Sequence, residues 1–412
     1  VDAVSFCRAQ VAAEGKKDMK RPAVLGGRPA FPRDLPFNLP TLPDPDRLTG
    51  KIKTVLKSGV LTKGPVAERL EAKAQKLLGV KHVVAVSSCT AGLMLVLRTL
   101  DVRGEVVLPS FTFSATGHAV VWNGCTPVFA EVDERRWVID ASDAAKRITK
   151  RTSAIVATHV FGAPAPVSKL ESIAKSSGVP LVLDAAHALG SSLDGRPLGG
   201  RGAAEVFSLS PTKLITSGEG GLVATNDSSL ARLLRMGRDY GNPGNYDCRF
   251  VGLNARMSEI NAVVGLATIA TLGRLASSRR RIAARYREKL ATTPGLSWQQ
   301  ITKEGVSSYK DVVAAVDRRA FGLTRDQLAR ALQAEGIPTR PYFHPPLHRQ
   351  RAFSAWAPPR GTLSRTERIA SRTLALPIWS HMRDSAIDRV ALAIRRIHEH
   401  ADDVRARLRS VR

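Results

Sequence analysis

The chain has 412 residues, of which 43% are hydrophobic and 24% charged, with 32 Gly and 24 Pro; these proportions are those of a folded globular protein and exclude collagen, coiled coil and overall disorder. At this length two or three folding units and a large buried core are expected. The 62 basic and 36 acidic side chains leave a formal charge of +26, a field that draws anions and raises nucleic-acid binding as one class of function.

The N-terminal stretch 1–45 is rich in proline and is expected to run extended over the surface. Val1 to Lys20 lacks the basic start and apolar centre of a secretion signal. Met19 is expected to be the native start, which would leave residues 1–18 outside the native protein. From Lys81 to Asp227, short β-branched runs alternate with amphipathic segments, the rhythm of a mostly parallel sheet covered by helices. The predicted strands are His82 to Ser87, Glu105 to Pro109, Pro127 to Val132, Ala154 to Val160, Pro180 to Asp184, Val206 to Ser210 and Gly221 to Thr225. Thr90 to Leu100, Ser114 to Trp122 and Val167 to Ser176 read as helices. The last two strands are too close for a crossover helix, which predicts an antiparallel pair there.

One long helix is predicted from Ser258 to Leu290, so that residues 46–290 form a large α/β domain. Residues 291–412 then read as a smaller α+β domain, with strands Tyr309 to Val316 and Thr339 to Phe343 and helices Thr324 to Glu335 and Ser385 to Arg409. Arg279, Arg280, Arg281, Arg285 and Arg287 are interleaved with Ala and Ile at helical spacing and read as a solvated helix face rather than a phosphate-binding stripe. No run of ~18 apolar residues is uninterrupted, so no membrane-spanning helix is expected. Cys7, Cys89, Cys125 and Cys248 are scattered without a CxxC pair, which points to free thiols in a reducing, cytoplasmic setting.

The familiar nucleotide and metal motifs GxxxxGK[ST], GxGxxG and HExxH are missing. His344 and His348 bracket two prolines and cannot share a helix face, and His398 with His400 lies in a polar terminal helix, so no metal site is expected. Three other segments carry chemistry. Ser87-Ser88-Cys89-Thr90-Ala91-Gly92 stands where a strand turns into a helix, a place that binds phosphate readily but is equally an ordinary N-cap. Asp184 ends an apolar strand, where a carboxylate can neutralise a cationic ring nitrogen or cap the next turn. Lys213 follows a strand, precedes Gly218-Glu219-Gly220-Gly221 and is the one lysine between Lys175 and Lys289; desolvation there would favour a neutral, nucleophilic amine. Phosphate cradle, acid and isolated amine, in that order, are the parts a pyridoxal phosphate enzyme requires.

With these segments the chain resembles the DegT/DnrJ/EryC1/StrS family of sugar aminotransferases from about Gly59 onward. The resemblance rests on Leu61-Thr62-Lys63-Gly64-Pro65, Ser88-Cys89-Thr90-Ala91, Pro109 through Thr116, Asp184-Ala185-Ala186-His187-Ala188, Ser208 through Lys213 with Gly218 through Gly221, Gly252 through Ser258, and Leu376-Pro377. It implies a fold-type I pyridoxal phosphate transferase: an α/β protein acting as a homodimer with shared active sites. In it Lys213 would hold the cofactor and shuttle protons, Asp184 would pair with the ring nitrogen, and His187 would lie near the phenolic oxygen. Phe113 would stack on the ring, Cys89, Thr90 and Ser208 would bind the phosphate, and Asn254 would reach it from the other subunit. Arg256, Tyr240, Tyr342 and His348 are the candidates for contacting substrate.

The sequence departs from the common pattern at Leu183, where many relatives have Glu, at His187, where many have Gln, and at Cys89, where Gly is frequent. Relatives that have lost the lysine act as dehydratases, so Lys213 favours transamination. The resemblance implies transfer of nitrogen from glutamate to a nucleotide-linked keto sugar, foremost a dTDP-4-keto-6-deoxyhexose from an antibiotic or glycan pathway. A 3-keto sugar or a keto-inositol is the alternative within the same chemistry. A nucleic-acid-binding regulator is the alternative from another class, and the set Asp184, His187 and Lys213 argues against it.

Overall fold

The computed structural model describes residues 21–410; Cys7, Met19 and the N-terminal eighteen residues lie outside them. Seven strands form the main sheet: β1 His82–Val86, β2 Glu105–Pro109, β3 Thr126–Ala130, β4 Thr152–Thr158, β5 Leu181–Asp184, β6 Ala204–Ser208 and β7 Gly221–Thr225. Their spatial order is β1-β7-β6-β5-β4-β2-β3, and β7 alone is antiparallel to its neighbours. The crossovers bear helices Cys89–Thr99, Ser114–Trp122 and Val167–Ser176 on the sheet faces, which leaves β2, β5, β6 and β7 buried throughout. Two apolar clusters, one on each face, hold the layers together. This α/β architecture, with the antiparallel β6–β7 pair, is the one the alternation of strand and helix patterns predicts.

The single helix predicted from Ser258 to Leu290 is two, Glu259–Ile269 and Leu272–Lys289, bent by 62°. Each part answers to a different core. The first packs on helix Pro65–Leu78, and the second runs on to bury Ile282, Ala283 and Tyr286 in a further apolar cluster. No single helix among the described residues is long and apolar enough to cross a membrane.

That further cluster lies under a second sheet of β8 Leu296–Trp298, β9 Val312–Val316 and β10 Thr373–Leu376, all antiparallel in the order β8-β9-β10. The strand expected at Thr339 to Phe343 does not form. Arg340 makes one bridge to Ala375; Pro341 then brings no N–H to extend the ladder, and the rings of Tyr342 and Phe343 turn into an aromatic cluster. The helix expected from Ser385 to Arg409 breaks at His400 into Asp384–Glu399 and Ala401–Ser410.

The arm does not merely lie on the surface. Ala30 and Phe31 are 2% and 7% exposed within the second core, and the buried Glu335 carboxylate accepts the amides of Ala23 and Ala30 at 2.8 Å each while pairing with Arg396. Glu335→Ala is therefore expected to lower unfolding stability by about 3–5 kcal/mol, because a buried cation loses its counter-ion, and to open the arm to proteolysis. An unchanged urea midpoint with an intact arm would contradict this.

The arginine run is a solvated face only in part: Arg281 is exposed, but Arg279 is not. Arg279 is 1% exposed and donates to Ser380 and to the carbonyls of Lys310 and Ile378. Arg281 and Arg285 pair with Asp384 and Asp388, and Arg287 donates to the Gln299 carbonyl. The cluster thus joins the bent helix to the C-terminal helix.

Candidate active site

The strand order brings the C-terminal ends of β1, β5 and β6 to one sheet edge, the edge where open α/β sheets bind ligands. Cys89 begins the helix that follows β1. Ser88 caps it, its hydroxyl accepting the Ala91 amide at 3.1 Å, so the first-turn amides of Cys89 and Thr90 point toward the edge. Gly221 opens β7 in register with both Val86 and Ser208. A Cβ there would come within 2.7 Å of the Cys89 nitrogen and the Ser88 carbonyl carbon, so only glycine lets the sheet approach the helix start this closely. Ser208, 7% exposed, ends β6 beside it and accepts the Ser210 amide at 3.3 Å.

Asp184 closes β5 and is 3% exposed. One carboxylate oxygen accepts Thr116 at 2.6 Å and the other the Ala186 amide at 3.0 Å, so each keeps capacity for a further, cationic donor. Burial pushes its carboxyl up, and the Thr116 hydrogen bond opposes the shift. Thr116 continues into a buried hydroxyl chain through Thr112, at 2.9 Å, to Thr158, at 3.1 Å. Behind Asp184 its carbonyl accepts the His159 amide. The fully buried His159 faces Glu205 at 3.4 Å, and His159 Nδ1 accepts the Ala165 amide, which leaves the proton on Nε2 toward Glu205.

His187 lies one turn beyond Asp184. Its Nδ1 accepts the Phe161 amide at 3.2 Å, and its ring is nearly parallel to those of Phe161 and Phe343. Burial, then the charges of Lys213 and Lys310, hold its pKa well below the usual imidazole value. Lys213 follows β6 and is partly buried. Burial first and the Lys310 ammonium second lower its pKa to about 8, against the opposing pull of Asp311, Cys89 and Asp184. The Cys89 thiol, buried beside Asp184, is pushed well up and is no nucleophile.

Phe113, at the N-terminus of its helix, is 57% exposed, and Asn254 is also exposed. Arg256 is joined to Asp239, whose carboxylate also holds Lys63 at 2.5 Å, and its guanidinium lies 5.4 Å from the Tyr240 ring centre. Tyr342 is stacked on Phe343. His348 is 1% exposed with Nδ1 at 2.6 Å from Ser110 and Nε2 at 3.1 Å from Glu367; both ring nitrogens are used inside the protein, so it stands as an internal strut between β2 and the helix Ser364–Arg372. No group of three or more metal-binding side chains occurs among the described residues.

The structure thus gathers Cys89, Thr90, Asp184, His187, Ser208 and Lys213 at one edge, and a bridge from Arg256 to Val86 at the end of β1 sets the Arg256–Asp239–Lys63 ion-pair cluster beside the helix start. Sequence reasoning missed Thr116, the His159–Glu205 pair and the Lys310–Asp311 pair. The available signal for the last was a Lys-Asp step at the head of an otherwise apolar strand, since such residues are seldom buried unless paired. Chemically the arrangement can hold an anion at the helix start, receive a cationic nitrogen at Asp184 and offer a neutral amine at Lys213, which is the donor set that pyridoxal phosphate fits.

The sequence profile of the DegT/DnrJ/EryC1/StrS aminotransferase family matches residues 45–395. The chain belongs to this family. It is accordingly a pyridoxal phosphate-dependent aminotransferase. Among its relatives, a UDP-N-acetyl-3-dehydro-α-D-glucosamine 3-aminotransferase from Acidithiobacillus ferrooxidans is 36% identical over 352 residues, 85% of this chain and 93% of its own. DesI, solved in the presence of its TDP-sugar product, superposes with a TM-score of 0.88 at 37% identity, covering 94% of this chain and 98% of its own. DesV from S. venezuelae gives 0.82 at 34% identity, over 86% and 95%.

Proposed function

We propose that this aminotransferase moves an amino group from glutamate to the keto carbon of a nucleoside-diphosphate sugar, foremost a dTDP-4-keto-6-deoxyhexose. The observation that carries the reading is the convergence at one sheet edge of the helix start at Cys89, the buried carboxylate of Asp184 and the loop of Lys213 after β6. Support for a nucleotide sugar comes from the TDP-sugar of DesI and the UDP-sugar of the Acidithiobacillus enzyme, and from a net charge of +26 that concentrates anionic substrates. The same 3-aminotransferase relative favours a 3-keto sugar as the second reading.

Bound pyridoxal phosphate supplies an electron sink for the pair left when a carbon–hydrogen bond breaks. In our reading Lys213 would hold it, and its amine would be the side-chain base that takes up a proton and, as the acid, gives the same proton back. Asp184 would pair with its ring nitrogen and favour the protonated form, and Thr116 and the Ala186 amide fix the carboxylate for that purpose. The amides at Cys89 and Thr90, with Ser208, would hold its phosphate, while Phe113 would pack on its ring and His187 would face its phenolic group. Arg256, Tyr240 and Tyr342 remain candidates for substrate contact. We further propose a cytoplasmic homodimer in which Asn254 reaches the other subunit's phosphate site, a reading that the exposure of Asn254 and Phe113 supports.

The test is optical. The full chain loaded with pyridoxal phosphate is expected to show a visible band that glutamate bleaches and that dTDP-4-keto-6-deoxyglucose restores. Restoration by the 3-keto UDP-sugar alone would transfer the assignment to the second reading. A keto-inositol as the sole effective acceptor would defeat both.

A further inference from the structure

We propose that Phe37, in the N-terminal arm, is a positioning residue: it holds the guanidinium of Arg340 and the phenol of Tyr342 side by side next to the site, where together they take the diphosphate of the nucleotide sugar. The inference rests on the nucleotide-sugar reading, and it concerns a segment that precedes the matched residues 45–395.

Backbone contacts bring the arm to this place. The Phe37 carbonyl accepts the Ile378 amide at 3.1 Å, two residues past β10. Arg340 is bridged to Ala375 within β10 by amide–carbonyl bonds of 3.2 and 2.8 Å. Both main chains are thus registered against the same strand, and the Phe37 side chain meets two residues of the 340–342 segment. Its ring stands edge-on to that of Tyr342, with centres 6.1 Å apart and planes at 80°, and the Arg340 guanidinium lies 5.3 Å from its centre. Both geometries are attractive.

From Tyr342 a run of rings leads inward to the site. Tyr342 lies 5.4 Å from Phe343, and Phe343 lies 6.2 Å from His187, the planes inclined by 26° and 17°. The Lys310 ammonium stands 5.5 Å from the Tyr342 ring centre. Tyr342 is therefore gripped by three side chains, all of them on its ring, while its hydroxyl makes no hydrogen bond among the described residues. Arg340 is in the same position. It is exposed, it donates to the Thr339 carbonyl at 3.1 Å, and it has no carboxylate partner among the described residues. One ring of the arm thus braces the faces of a guanidinium and a phenol whose polar ends are left for a ligand. A diphosphate fits that pair, since the planar fork of an arginine binds two of its oxygens and a hydroxyl a third.

The experiment uses the full chain loaded with pyridoxal phosphate and reads the two half-reactions apart: bleaching of the visible band by glutamate, and its restoration by dTDP-4-keto-6-deoxyglucose. Binding of dTDP-glucose, which has no keto group to react, is measured beside them. Phe37→Ala is expected to raise the KM for the keto sugar and the Kd of dTDP-glucose roughly ten-fold, with the glutamate step and the limiting rate of restoration unchanged. Phe37→Tyr, which keeps the ring, is expected to restore the wild-type KM. Should Phe37→Ala open the arm to protease, Phe37→Leu carries the same expectation. Once Arg340→Met and Tyr342→Phe are combined, Phe37→Ala is expected to have no further effect, because its influence passes through those two side chains. An unchanged KM in the alanine and leucine variants, a parallel slowing of the glutamate step, or the full effect of Phe37→Ala in the combined background overturns the proposal. Binding that follows the expected pattern while no keto sugar nucleotide restores the band would instead overturn the reading of the reaction. Failure of wild type to bind dTDP-glucose would overturn both.

Discussion

Lys213→Ala is expected to abolish the glutamate-bleached visible band and to lower turnover by roughly 10³-fold or more, since in the proposed mechanism one residue would both anchor the cofactor and move the proton, and general acid–base catalysis alone contributes about 10²–10⁴. The fold should be untouched. The side chain is partly buried at the sheet edge and makes no hydrogen bond or ion pair among the described residues, its backbone being held by the Ser210 carbonyl. An added primary amine should restore part of the proton transfer but not the attachment. A variant that kept its band through another lysine would show that the anchoring amine had been misassigned.

Asp184→Asn is the second large effect. A neutral amide cannot keep the ring nitrogen charged, and turnover should fall by roughly 10²–10³-fold, with stability moving the other way. Burial raises the Asp184 carboxyl pKa, so the native state binds that proton more tightly than the unfolded chain does. Its contribution is neutral below the unfolded value and becomes a penalty as pH rises through the folded one. The asparagine variant, freed of cofactor, is therefore expected to unfold at the same or a higher temperature than wild type at pH 7, with the gap closing in acid. A destabilised variant with unimpaired turnover would reverse both assignments. The distinction matters because Asp184 carries Thr116 and the Ala186 amide, and asparagine can keep the Thr116 bond while losing the charge.

Much of the site was legible because its parts are local. Cys89 is recognisable from a strand that turns into a helix, Asp184 from an apolar run that ends in a carboxylate, and Lys213 from its isolation before a glycine-rich turn. Their convergence also follows, because parallel strands bring their C-terminal ends to a common edge. His348 shows where such reasoning stops. It stood as a candidate for contacting substrate, yet Ser110 and Glu367 draw the ring into the interior. Arg279 shows the same limit from the other side. A run of arginines reads as a wet face until three acceptors from distant segments are found around one of them.

The amino-acid sequence by itself determined the alternation of strands and helices, the antiparallel β6–β7 step, the order of phosphate cradle, acid and amine, and the family they denote. These rest on periodicity and on neighbours within a few residues, where side-chain pattern and backbone geometry are directly linked. Tertiary structure alone decided that the long helix bends between two cores, that Glu335 anchors the arm and that His159 meets Glu205. Each of these joins residues tens to hundreds of positions apart, and their meeting depends on strand order and on how the layers close, which local pattern does not encode.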